Sequence, residues 1–306
     1  MDRRRFLIRS AQAIGAGILA PGLVRGAPLP EGGGTHPDLV VAQGDPREAT
    51  SAALEALGGL GRFVRPNDVV AIKPNASFVA PPEWGVTTHP EVLAGVIGAC
   101  LAAEARRVIV VDHTMASAER CFDRACIAPA VAGFDRAKLI ALDDEKMYRE
   151  IPVPRGRSLK QTALASVVTR ADVLINVPTA KCHGATGVGL GLKNLMGLVW
   201  DRNTFHNDMD IHVGIADLAT AVQPQLTVLD ATYVLKTNGP TGPGEVDRLG
   251  KVIVGTDPVA VDAYGTGLST WNGQTLRPAQ VDYLRLAAER GVGTLDLASL
   301  RIREIA

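Results

Sequence analysis

The chain has 306 residues, 46% hydrophobic but only 4% aromatic, so its core must be built mainly from Ala, Val, Leu and Ile. Its 32 basic and 32 acidic side chains cancel, and no basic block follows the first few residues, so nothing in the charge pattern serves nucleic acid. Four cysteines, Cys100, Cys121, Cys126 and Cys182, are too few and too scattered for a disulfide framework, and they lack the close spacing of an iron–sulfur motif.

Residues 2–8, DRRRFLI, precede a weakly apolar stretch from Ala11 to Val24. The pair Arg3-Arg4, with Phe6 and Leu7 behind it, resembles a twin-arginine export signal. The apolar segment is short, rich in Ala and Gly and interrupted by Pro21, so a permanent membrane span is not expected. We expect residues 1–26 to be a signal peptide read by the twin-arginine export machinery, with a periplasmic or otherwise exported product. Five arginines and one aspartate leave with it, giving 27 basic residues against 31 acidic. Residues 27–37, rich in proline and glycine, read as a linker. Residues 38–306 are expected to form a single α/β domain.

Within that domain Val40–Ala42 predicts a strand, and 49–60 a helix with Leu54, Leu57 and Leu60 on one face. Strand 68–73 stops at Pro74-Asn75. Thr88 is the expected N-cap of a helix running to about Glu104, with Pro90 in its first turn. RVIVVD, 107–112, is a buried strand ending in a carboxylate. Helix is expected over 116–132, interrupted at Pro129, then short strands over 138–142 and 149–153 and a short helix over 161–170.

The apolar run Val173–Val177 predicts a central buried strand ended by Pro178. A polar loop with Lys181, Cys182, His183 and Thr186 follows, and four glycines, Gly184, Gly187, Gly189 and Gly191, crowd it. Leu192–Leu198 reads as a short helix. Neither a Walker loop nor a dinucleotide fingerprint is present, because Gly187-Val188-Gly189 is followed two residues later by Gly191. Further on, 211–222 and 258–268 are expected helices, 226–230 and 252–254 strands, 278–290 the last helix and 300–305 a final strand. The alternation predicts an α/β fold: a mostly parallel sheet flanked by helices, a three-layer sandwich. One sheet should contain the strands at 69–73, 107–111, 173–177 and 226–230.

Four ordered motifs carry a resemblance. The segment I-N-V-P-x-x-K-x-H-x-x-T followed by K-N-x-M-G, Val70–Asn75 with Thr87–Pro90, Leu229–Ala231 with Asn238–Pro240, and Gly255–Ala263 together resemble the family called domain of unknown function 362. The resemblance spans about residues 38–270. Some relatives carry an iron–sulfur segment, and this chain departs from them in lacking that motif.

In open α/β sheets ligands bind at the carboxyl ends of the strands. There the sequence places Asn75, Asp112, Lys181 with His183, and Asp230, with Lys73, Lys193 and Asn194 nearby. Lys181 and Lys193 offer positive charge to a carboxylate or phosphate. Backbone N–H groups of the glycine-rich loop would complete the anion's shell. His183, Lys181 and Lys193 are the candidate catalytic residues. Lys73, Asn75, Asn194, Asp112 and Asp230 are the candidate substrate-binding residues. His183 suits a general base or, with His206, a metal ligand, which makes a metal ion the candidate cofactor. Two functions fit these residues. One is an exported redox- or metal-linked enzyme acting on a small anionic substrate. The other is a periplasmic accessory protein that binds an anion or a metal without catalysis.

Overall fold

A computed structural model describes residues 24–25 and 36–306. The expected export signal and linker lie outside these residues, apart from His36 and Pro37 at the end of the linker and Val24–Arg25, which pair in parallel with Val222–Gln223. Among the described residues no helix is long and apolar enough to cross a membrane.

Ten strands form one sheet. Val173–Val177 pairs in parallel with Val69–Pro74 on one side and with Leu226–Leu235 on the other. Arg107–Asp112 and then Ala137–Ala141 extend the parallel array beyond Val69–Pro74. Val246–Gly255 pairs antiparallel with Leu226–Leu235 and with Leu39–Gln43, and Ile302–Ile305 closes that edge in parallel. The four strands expected to share a sheet therefore do so, and in parallel.

Alternation along these strands builds two cores. Leu39, Val41, Ala71, Val111 and Leu174 face one side, where they meet the helices Ile211–Ala221 and Asp282–Glu289. Val40, Ala42, Val70, Ile72, Val110 and Ile175 face the other, against Pro46–Ala56 and Pro90–Ala102. Because both faces are buried there, the central strands Val69–Pro74, Arg107–Asp112 and Val173–Val177 read as apolar runs rather than alternating ones. Helices cover both faces, which gives the three layers.

Several local expectations differ from the structure. The break in the 116–132 helix lies at Cys126, whose φ of 56° cannot continue a helix, and Pro129 sits harmlessly in the first turn of Ile127–Ala132. Residues 161–170 split into a strand, Gln161–Ala165, and a helix, Ser166–Arg170, because the first half pairs with Tyr148–Pro152. The helix at 90–102 is capped by His89 rather than Thr88. Thr88 instead bonds across the sheet edge, accepting from the Asn75 N–H and donating to the Val177 carbonyl.

The largest difference concerns the glycine-rich stretch. Pro178 does end the central strand, but the chain resumes at once as Thr179–His183, alongside Leu226–Leu235. That strand hairpins onto Gly187–Gly189, pairing Lys181 with Gly189 and His183 with Gly187. The expected loop is thus mostly sheet. Its two-residue period puts Lys181 and His183 on one face and Cys182 on the opposite one.

Candidate functional site

Asn194 organises the floor of the site. It lies in the short helix Gly191–Asn194, and its amide makes four hydrogen bonds. Its Oδ1 accepts from Lys73 Nζ at 3.2 Å and from Asn75 Nδ2 at 3.0 Å. Its Nδ2 donates to the Lys73 carbonyl and to Asn176 Oδ1 at 2.8 Å. All its capacity is therefore used, and a buried amide so satisfied fixes the elements it joins. The helix start is fixed as firmly by Asp262, whose carboxylate accepts from the Gly191 and Leu192 N–H groups at 2.7 and 2.8 Å. Burial pushes Asp262 up to about 7. A Cβ at Gly191 would lie 2.7 Å from Asp262 Oδ1, so the position needs glycine. Of the glycine-rich N–H groups expected to complete an anion's shell, that of Gly191 is already committed to Asp262.

Below the floor lies a closed ion pair. Lys73 Nζ is 2.9 Å from Asp112 Oδ1, both side chains fully buried. The other Asp112 oxygen accepts from the Ala76 N–H at 2.7 Å and from Ser77 Oγ. Gly197 passes directly over the pair, and a Cβ there would come within 2.5 Å of Lys73 Cε and 2.6 Å of Asp112 Oδ1. Desolvation lowers the Lys73 pKa, and the Asp112 charge opposes that shift. Neither side chain lines the cavity above. Asp230 does not reach it either. Its carboxylate accepts from the His89 N–H and from the backbone and hydroxyl of Thr232, which holds the entry to the 90–102 helix.

Above the floor is a cavity of about 810 Å³. Asn75, Lys181, His183, Lys193, Asn194 and His206 all line it, which brings together six of the residues expected from sequence. Lys181 is buried. It donates to Asn75 Oδ1 at 3.2 Å and to the Val86 carbonyl at 2.6 Å, with its nitrogen 4.9 Å from the centre of the Phe78 ring. Burial, reinforced by the charge of Lys193, lowers it to about 7. Lys193 is lowered to about 8 by burial and then by Arg202 and Lys73. Among the described residues neither lysine has a carboxylate within ion-pair distance.

His183 is held with Nδ1 accepting from the Ala185 N–H at 3.2 Å, so the neutral ring carries its proton on Nε2. Burial and the two lysine charges lower it to about 3. The ring is therefore a neutral donor near pH 7. Lys181 and Lys193 are the lysines brought into the neutral range. His206 is an exposed member of the wall, lowered by burial, Lys193 and Arg202. No group of three or more His, Cys, Asp or Glu side chains among the described residues could hold a metal ion. The cationic surroundings of His183 and His206 also disfavour a further cation.

Part of the wall comes from residues that the sequence did not mark. Arg202 lines the cavity and donates to the carbonyls of His113 and Thr114. His113 stacks on Trp200 at 5.4 Å, and its Nδ1 lies 3.1 Å from the Val199 carbonyl. Met115, 60% exposed, and Phe78 add an apolar rim. His113 directly follows the carboxylate that ends strand Arg107–Asp112, a strand-end position that could have marked it. Arg202 and Trp200 follow the short helix with no comparable sequence signal.

The lactate racemase apoprotein from Thermoanaerobacterium thermosaccharolyticum is similar in structure with a TM-score of 0.41 at 12% identity, over 63% of this chain and 51% of that one. The "Thylakoid-associated protein sll1697" of Synechocystis sp. is 27% identical over 222 residues, 68% of this chain. The chain spans 65% of that relative's length. The model of the domain of unknown function family DUF362 matches residues 70–267, from the strand bearing Lys73 to the helix bearing Asp262. The chain belongs to the DUF362 family.

Proposed function

We propose that the cavity binds a small organic anion and that the protein is an exported enzyme acting on it. One observation carries this reading. Lys181, Lys193 and Arg202 converge on one cavity and make no ion pair among the described residues, although the exposed Glu145 and Asp201 also line its wall. Buried charge left without a counter-ion is costly, and a bound anion removes that cost. Elsewhere in the same fold the buried cations Lys73 and Arg290 do have acids, Asp112 and Asp217.

Catalysis in this reading is proton transfer. Lys193 and Arg202 hold the anion's charge. Lys181, lowered to about 7, gains or releases a proton near neutral pH, as a general acid–base group should. His183 donates from Nε2, and Asn75 fixes the Lys181 nitrogen from one side. No group of three or more His, Cys, Asp or Glu side chains among the described residues supports a metal-linked reaction, so the reading rests on the cations. Anion binding without turnover is the alternative.

Calorimetric titration below pH 7 tests the binding step. Malonate should bind saturably and malonamide, its uncharged analogue, should not. Equal binding of the two, or none by either, contradicts the reading. Export rests on Arg3-Arg4 and the apolar stretch behind them. With both arginines replaced by lysine, cell fractionation should find the protein retained inside; normal export would remove that part of the proposal.

A further inference from the structure

We infer that Lys181 is a nucleophile and that the anion held beside it is a 2-oxo acid, captured through its carbonyl carbon as an imine. This deepens the proposed function and rests on the cavity being an anion site.

The three lysines of the site differ in how their nitrogens are held. Lys73 is locked against Asp112 and kept from the cavity by Gly197. Lys193 lines the cavity with no hydrogen-bond partner among the described residues, which suits a mobile charge and not a directed one. Lys181 is held by two neutral acceptors, Asn75 Oδ1 and the Val86 carbonyl. A neutral amine has two N–H bonds and one lone pair. The two acceptors match the two N–H bonds and leave the lone pair for the cavity, which the side chain lines. The strand Thr179–His183 and the Phe78 ring fix the direction of approach. The ring face does favour the charged form of Lys181, but burial and the neighbouring Lys193 charge outweigh it, so free amine is available near neutral pH. A lysine desolvated beside another cation is the usual setting of an imine-forming amine.

The substrate class follows from the neighbours. A carboxylate next to the reacting carbon is needed to engage Lys193 and Arg202. A carbonyl at that carbon is needed for Lys181 to attack. The step balances without any further reagent. The Lys181 nitrogen forms a bond to the carbonyl carbon while the C=O π electrons move to oxygen. That oxygen takes a proton from the Lys193 ammonium and a second from the attacking nitrogen. The C–O bond then breaks, water leaves, and the C=N bond remains. His183 Nε2–H is placed in the same wall to donate to the oxygen as its charge develops.

The test is reductive trapping. The full chain is incubated with pyruvate and cyanoborohydride, and in parallel with lactate, which keeps the carboxylate and lacks the carbonyl. One adduct is expected, equal in mass to the oxo acid less one oxygen atom and mapped to the peptide holding Lys181. Lactate should give none, excess malonate should suppress it, and its yield should rise with pH through about 7. Lys181→Gln should abolish it; mapping on the unaltered chain decides the matter even if that variant fails to fold. Pyruvate that binds by calorimetry without forming an adduct overturns the imine and leaves the anion site standing. So does an adduct on Lys193, or spread over exposed lysines such as Lys138 and Lys146. If neither pyruvate nor malonate binds, the proposed function fails and this inference with it.

Discussion

Two buried regions of this molecule hold lysines a few residues from the same sheet edge, and they solve the same electrostatic problem in opposite ways. Under the floor, Lys73 meets Asp112 at 2.9 Å and the pair is sealed by Gly197. Above it, Lys181 bonds only neutral acceptors and Lys193 none, and neither pairs with Glu145 or Asp201 on the exposed wall of their cavity. The first arrangement uses charge to join two strands. The second leaves charge uncompensated, and the cost shows as pKa values near 7 and 8. The contrast teaches that a buried lysine marks a ligand site only where its counter-ion is missing.

The contrast can be broken most severely from below. Asp112→Asn leaves Lys73 buried without its partner and should lower stability by about 3–5 kcal/mol, read as a shift of the urea midpoint. A midpoint close to the parent's would show that the pair does not hold the floor. Gly197→Ala pushes a methyl group into the same pair and should cost about 1–3 kcal/mol, because backbone and ion pair must both shift.

Changes above the floor should do the reverse, altering binding more than folding. Lys193→Gln is expected to weaken malonate about tenfold, or about 1.4 kcal/mol, with the thermal midpoint within a few degrees of the parent. A large loss of stability with unchanged affinity would make Lys193 a structural residue. His206→Ala, on the exposed part of the wall, should change affinity least, by about twofold.

The pH dependence sharpens the same point. Lys181 and Lys193 have folded pKa values below their usual 10.5, so between those values the unfolded chain binds more protons than the folded one. Their contribution to stability is complete above 10.5 and is lost as pH falls through about 8 and then about 7. The difference in unfolding free energy between the parent and Lys181→Met should follow that direction. Malonate affinity should run oppositely, falling as pH rises through the same range and the amines lose charge. A flat difference curve would place Lys181 in water.

Much of the fold was legible because both sheet faces are buried, which makes Val173–Val177 and Arg107–Asp112 stand out as apolar runs. The strand Thr179–His183 was not, because a proline, a lysine and a histidine mask a segment whose pairing comes from Leu226–Leu235, far along the chain. The site was legible in part for the same reason. Lys181, His183, Lys193 and Asn194 are close in sequence and converge as expected. Asp112 and Asp230 also end or occupy strands at that edge, but sequence carries no sign that a buried lysine claims one and a helix entry the other. Arg202 reaches the cavity from a turn whose path only tertiary packing fixes. The role of His183 was hidden too, since an ordinary histidine titrates near neutrality and this one is held neutral by burial and lysine charge.

The central claim, that unpaired cations in one cavity hold an anion, is tested most directly by locating the anion. Crystals soaked in bromide at a pH below 7 give an anomalous signal at each bound ion. The account predicts a peak inside the cavity among Lys181, Lys193 and Arg202, lost on adding malonate, and no peak beside Lys73. A cavity without bromide, in a crystal whose surface sites are occupied, would contradict it.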